Sequence, residues 1–196
     1  MKKVNFVLVV LCLSFIGSGQ VLASSIARLG VNLNNNLTMT LVDGHTAKVD
    51  INSMDFYGAY EFLWRIPDLP LETGFGFELP RNIDDGQLVL NFMPFYGMIN
   101  ASFESEKVKP YFSGKLGYSF FNGPVNWILF SASNYTGGLF YSIGGGLFFN
   151  NGFRVEISYS AYNGQNTLTE LQTGHYIPLR FSYTLSNIAL SLGYFF

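Results

Sequence analysis

The chain has 196 residues, of which 48% are hydrophobic, 17% aromatic and only 12% charged, with a formal net charge of −2. An average domain carries about 25% charged residues, so this composition excludes a disordered chain and a nucleic-acid-binding one, both of which are charge-rich. Beyond the first 20 residues no stretch reaches the roughly 18 consecutive apolar residues of a membrane helix. The abundant apolar surface must therefore be hidden by strands, and 20 Phe, 12 Tyr and 21 Gly suit strands and turns.

The amino terminus reads as a targeting segment. Lys2 and Lys3 form a basic region, Phe6 to Ile16 an apolar run, and Val21-Leu22-Ala23 a small-residue cleavage site. Residues 1–23 are expected to be a cleaved signal peptide, and 24–196 a single domain. Removing Lys2 and Lys3 leaves nine bases against 13 acids, a mature charge of −4. Cys12 is the sole cysteine and leaves with the signal, so disulfides and thiol chemistry are excluded.

Period-two alternation then runs along the chain. Eight strands are expected near 26–42, 46–65, 71–80, 87–103, 108–121, 137–149, 153–162 and 177–196. The first two are joined at Asp43-Gly44, a strong hairpin signal, and Asn34-Asn35-Asn36 predicts a bulge in the first. In the third, Leu71, Thr73, Phe75, Phe77 and Leu79 oppose Glu72, Gly74, Gly76 and Glu78. The fourth holds no clean phase. In the fifth, Val108, Phe112, Leu116, Tyr118 and Phe120 oppose Lys109, Tyr111, Ser113, Lys115 and Ser119. Parity settles the turn Asn150-Asn151-Gly152. A three-residue loop sets Leu147 against Val155, Ile143 against Tyr159 and Gly146 against Glu156, whereas a two-residue loop mixes apolar with polar across the strands. The last strand changes phase near Leu185 to Asn187, which predicts a second bulge. Pro67 to Pro70 and Glu104 to Lys107 are tight turns, and Pro80–Gly86, Asn122–Thr136 and Asn163–His175 are longer connections.

The polar face carries Arg28, Glu61, Glu72, Glu78, Lys109, Lys115, Arg154 and Glu156, four acids and four bases. A water-exposed surface is ordinarily about 25–35% charged, so a total of 12% argues that the apolar face meets lipid and the polar face points inward. An open sheet edge in lipid would leave backbone groups unpaired at several kcal/mol each, so the sheet must close. The expected fold is all-β, an eight-stranded antiparallel up-and-down transmembrane β-barrel whose interior is just filled by side chains. Its interior charges are expected to pair as a lumen network. Trp64, Tyr194 and Phe196 suit the aromatic girdle on the terminus side, with Trp127 and Tyr135 on the other.

With short and long connections in alternation, and an ending of Ser191-Leu192-Gly193-Tyr194-Phe195-Phe196, the chain resembles the small OmpA/OmpX-type bacterial outer-membrane β-barrel family. Lys109-Pro110-Tyr111-Phe112-Ser113-Gly114-Lys115 and the Gly-rich segment Gly137 to Gly146 resemble that family's central hairpin. The resemblance implies an outer-membrane location, contact with outer-membrane lipid and lipopolysaccharide, and recognition of Tyr194 and Phe196 by the barrel-assembly machinery as the insertion signal. A monomer is expected. The family contains structural, adhesive and enzymatic members, so function must come from sites.

Three features bear on chemistry. His45 and His175 fall on expected outer loops, the first near Asp43, Asp50 and Ser53, as an outer-leaflet lipid A acylase or deacylase would require. His175-Tyr176-Ile177 departs from the His-x-Ser pattern of the deacylases, and no G-x-S-x-G occurs. Solvated loop histidines are the plainer reading. Gly144-Gly145-Gly146 lacks the Lys and Ser/Thr of a phosphate loop, and two histidines without cysteine do not favour a metal site. No cofactor is expected. The segment 122–136 carries Val125, Trp127, Ile128, Leu129, Phe130 and Tyr135, either a surface for a partner or an extension of the hairpin. The expected role is non-enzymatic, structural or of surface contact, with lipid modification as the alternative.

Overall fold

The computed structural model describes residues 23–41, 43–51, 54–84, 89–103, 105, 107–122, 130–172 and 175–196. The signal-peptide reading of 1–23 therefore falls, save for Ala23, outside the described residues. The described residues form ten strands in order: β1 Ala23–Leu41, β2 Thr46–Ile51, β3 Asp55–Arg65, β4 Leu71–Glu78, β5 Arg81–Asp84, β6 Val89–Ser102, β7 Val108–Asn122, β8 Phe130–Phe149, β9 Phe153–Gln172 and β10 His175–Phe195. β2 and β3 share the partner β1, and β4 and β5 share β6. Ten strands with two such end-to-end pairs make eight staves. All pairings are antiparallel, and β1 with β10 closes the ring from Ile26↔Phe195 to Leu41↔Phe181.

Alternation decides which way each side chain points. Leu29, Phe95, Ile99, Phe112, Leu116, Ile143, Ile157, Leu190 and Leu192 stand exposed on the outside, whereas Arg28, Glu61, Lys115, Arg154 and Glu156 are buried within. Ile157 is 56% exposed and Glu156 beside it 1%. No charged residue lies among the outward positions of β3, β4 or β7 between Phe56 and Trp64, Leu71 and Leu79, or Val108 and Phe120. β3 has 11 residues, and about 9–11 tilted residues cross the hydrocarbon layer. Above it the outward residues turn polar, as at Lys48, Gln165 and Arg180, all exposed.

The turn at Asn150–Gly152 has the three-residue form. Leu147 pairs Val155, Ile143 pairs Tyr159 and Gly146 pairs Glu156. Gly152 sits at φ 88° and its N–H donates to the Phe149 carbonyl at 3.0 Å. Gly44 adopts the same φ of 88° in the first hairpin, which the absence of a Cβ permits.

Several expectations are corrected. The stave expected over 46–65 is broken between Ile51 and Asp55, and 71–80 ends at Glu78. Arg81–Asp84, read as loop, pairs with β6. Of the connections expected at 122–136 and 163–175 the described residues are strand: β8 begins at Phe130, β9 runs to Gln172 and β10 starts at His175, while 123–129 lie outside the described residues. The first bulge lies between Asn32 and Asn34, slightly before the asparagine triplet's centre. The second is not there: β10 pairs β9 without a shift from His175 to Tyr194. Tyr183 and Leu185 face inward with Asn187 and Ala189, all buried. The apparent phase change reflects a switch in the interior from polar to apolar. Tyr135 likewise packs against the interior cluster, so it is no part of an outer girdle. Exposed Tyr118, Phe120, Tyr141 and Tyr159 hold that level instead, and Trp127 lies outside the described residues.

Candidate functional site

Four staves bring five of the eight lumen residues together. From β1, the Arg28 guanidinium donates to Glu61 Oε2 of β3 at 2.7 Å and to Glu156 Oε1 of β9. Lys115 Nζ of β7 lies 3.0 Å from Glu61 Oε1 and 3.4 Å from Glu156 Oε1. Arg154 Nη2 lies 3.0 Å from Glu156 Oε2 and also donates to Asn100 Oδ1 at 3.3 Å. Two tyrosines complete the carboxylates' coordination. Tyr111 Oη donates to Glu156 Oε2 at 2.8 Å, and Tyr96 Oη to Glu61 Oε1 at 3.0 Å. The Arg154 guanidinium carbon stands 3.8 Å from the centroid of the Tyr111 ring. Buried charge is tolerable only when paired and hydrogen-bonded, and here each carboxylate oxygen has a donor.

Room for this lattice comes from small residues. A Cβ at Gly146 would fall 2.1 Å from the Val155 carbonyl and 2.7 Å from Tyr111 Oη. Gly144–Gly146 is thus strand that admits a tyrosine ring, and no phosphate loop.

Higher on the axis Glu78 joins a second cluster, which sequence reasoning missed. Arg81 Nη2 lies 3.3 Å from Glu78 Oε2 and Arg81 Nε 3.7 Å from Asp55 Oδ2. Tyr162 Oη donates to Glu78 Oε2 at 2.9 Å, and Arg81 packs on the Tyr57 and Tyr162 rings. Arg81 was hidden because it follows Pro80 in a segment read as loop. Parity gave no signal for it, because Arg81 is out of phase with the inward positions 76 and 78 and starts a separate strand.

Aromatic rings join the two clusters. Tyr96 stacks toward Phe140 with centroids 5.2 Å apart, Phe140 toward Tyr162 at 5.0 Å, and Phe92 toward Phe121 at 4.9 Å. Leu37, Leu90 and Leu185 fill the remaining space, each at most 2% exposed. Glu72 and Lys109, the remaining two of the eight, stay apart. They are half-buried at the mouth beside the termini, where Glu72 accepts a hydrogen bond from Asn100 at 3.5 Å.

Tyr194 and Phe196 point outward at the junction of β10 with β1, with Phe196 N–H donating to the Ser25 carbonyl at 3.1 Å. His45 is exposed in the first hairpin, its Nε2 4.0 Å from Asp43 Oδ2. Ser53 and the His175 side chain lie outside the described residues, as do residues 123–129 of the apolar segment. Among the described residues no group of His, Cys, Asp and Glu is placed to hold a metal ion, and no helix is long and apolar enough to cross a membrane.

A closed ring of strands with paired ions inside and an uncharged apolar belt outside defines an integral membrane barrel, and eight staves place it with the small outer-membrane barrels. Solved structures of that class share its fold. OprG from Pseudomonas aeruginosa superposes with a TM-score of 0.56 at 14% identity, covering 91% of this chain and 98% of its own. The outer membrane protein AlkL superposes with a TM-score of 0.54 at 12% identity, covering 92% of this chain and 93% of its own. No family model and no curated protein matches the sequence. The fold and its apolar belt place the chain in a bacterial outer membrane.

Proposed function

We propose that this barrel is a non-enzymatic outer-membrane protein with a structural or surface-contact role, monomeric in the bilayer and working through its filled interior and outward hairpins. The supporting observation is the obstructed axis. Two ionic clusters joined by Phe92, Phe140, Tyr96 and Tyr162, all at most 1% exposed, occupy the cross-section that eight staves enclose. Lipid and lipopolysaccharide contact the outer belt, and Tyr194 and Phe196 serve as the signal read by the assembly machinery. The outward hairpins, together with the apolar sequence of 122–136, supply the contact surface.

Planar-bilayer recording tests the filled interior: no porin-sized conductance is expected, and stable open steps of that size would overturn it. Lipid A from cells expressing the protein is expected to keep its mass. A mass shift abolished by His45→Ala or His175→Ala would replace this reading with a lipid-modifying enzyme.

A further inference from the structure

The ionic groups are unevenly distributed along the barrel axis. The lower cluster sets three cations, Arg28, Lys115 and Arg154, against two carboxylates, Glu61 and Glu156. The upper cluster sets Arg81 against two, Glu78 and Asp55. The interior as a whole is neutral, but its surplus positive charge lies toward the end that carries the termini.

Just below the lower cluster that end opens into a cavity of about 110 Å³. Arg65, Lys109 and Arg154 line it with a single carboxylate, Glu72, and with the rings of Tyr111 and Phe195. Among the described residues no carboxylate lies within ion-pair distance of Arg65 or Lys109, whereas Arg154 must share Glu156 with two other cations. Arg154 is 2% exposed, held by the Tyr111 face and Asn100, and its Nε has no hydrogen-bond acceptor. Arg65 and Glu72 are cross-strand partners in the β3–β4 ladder, but their charged groups form no ion pair. Cavity and lower cluster together hold five cations (Arg28, Arg65, Lys109, Lys115, Arg154) against three carboxylates (Glu61, Glu72, Glu156), an excess of two. Phe148 and Phe195, with ring centroids 4.9 Å apart, wall the cavity with apolar surface and strengthen any charge interaction inside it.

We propose that this mouth is a binding site for a phosphate group, held between Lys109, Arg65 and the guanidinium of Arg154. The excess of two positive charges matches an inorganic phosphate or phosphomonoester dianion and exceeds the single charge of a phosphodiester headgroup, and guanidinium forks suit the paired oxygens of either. The group comes either from a soluble phosphate or from a phospholipid headgroup. A second cavity shares Arg65 and Ser102 with the first and is lined further by Asp68, Leu69, Pro70 and Phe103; its wall is mixed, and exposed Leu69 and Phe103 are the apolar part that an acyl chain would meet.

The test uses the mature barrel folded in maltoside micelles, with two probes. Inorganic phosphate is titrated and followed by ³¹P line broadening. Separately, native mass spectrometry counts phosphatidylglycerol retained from phosphatidylcholine–phosphatidylglycerol vesicles. Saturable binding is expected in at least one arm. Phosphate alone identifies a soluble ligand, and phosphatidylglycerol alone identifies a headgroup. Lys109→Gln and Arg65→Gln should each weaken it about tenfold, the scale of one charge-assisted hydrogen bond. Glu72→Gln should tighten it, a gain that general damage to the barrel would not produce. Heat-dependent gel migration verifies that each variant is folded, and neither Arg65 nor Lys109 takes part in the ion pairs of the core. No saturable binding in either arm, or binding unmoved by Lys109→Gln and Arg65→Gln, would overturn the proposal.

Discussion

Glu156 receives Arg28, Lys115, Arg154 and the Tyr111 hydroxyl. Its removal strands three cations on Glu61 alone, in a site with almost no water access. Glu156→Ala is therefore expected to cost about 3–5 kcal/mol, the range for breaking a buried pair. Urea unfolding in lipid vesicles, followed by heat-dependent gel migration, measures it, and wild-type stability would count against a coupled network. The glycines separate in the same way. Gly146→Ala drives a Cβ into the Val155 carbonyl and the Tyr111 ring, an overpacking of about 1–3 kcal/mol. At Gly97 and Gly114 the nearest atoms lie 3.9 and 3.8 Å from an added Cβ, so Gly97→Ala and Gly114→Ala should leave the unfolding midpoint close to wild type.

At the scale of elements, legibility followed the number of environments a strand faces. Where lipid lies on one side and ions on the other, as along Phe153–Tyr159, alternation is strict and even the three-residue turn could be read from cross-strand parity. Gly152 then carries the left-handed residue of that turn. Gly152→Ala should destabilise the β8–β9 hairpin by about 1–2 kcal/mol, visible as faster unfolding in the same urea series. Beyond the membrane the contrast vanishes. Gln165, Asn166 and Thr167 are polar on both faces of β9, and this stretch is held by ladder hydrogen bonds to β10 rather than by a solvent boundary. Periodicity has nothing to register there, and the segment reads as loop. Tyr183 and Leu185 misled for a different reason: at their level the interior is apolar while the outward Ser182, Thr184 and Ser186 are polar, so the alternation inverts its polarity without a bulge.

Across the whole molecule, composition carried the most information. So few charges in so apolar a chain admit a closed barrel with its ions inside, and the exposed Phe and Leu side chains occupy the outer face accordingly. The division of those ions into two clusters of opposite surplus was not legible, because it depends on Arg81 and Asp55, which flank the breaks in two staves.

Those breaks also fall where the β3–β4 ladder stops. Its last rung joins Leu79 N–H to the Gly58 carbonyl at 2.8 Å, and above it β2 pairs with β1 while β5 pairs with β6. Among the described residues no ladder ties β2 to β5. The lipid-embedded hoop is continuous, but its rim beyond the hydrocarbon is split. Amide protons of Thr46–Ile51 and Arg81–Asp84 should accordingly exchange with deuterium sooner than those of Phe153–Tyr159, and melting should begin as a tear at this notch and travel downward toward the bilayer.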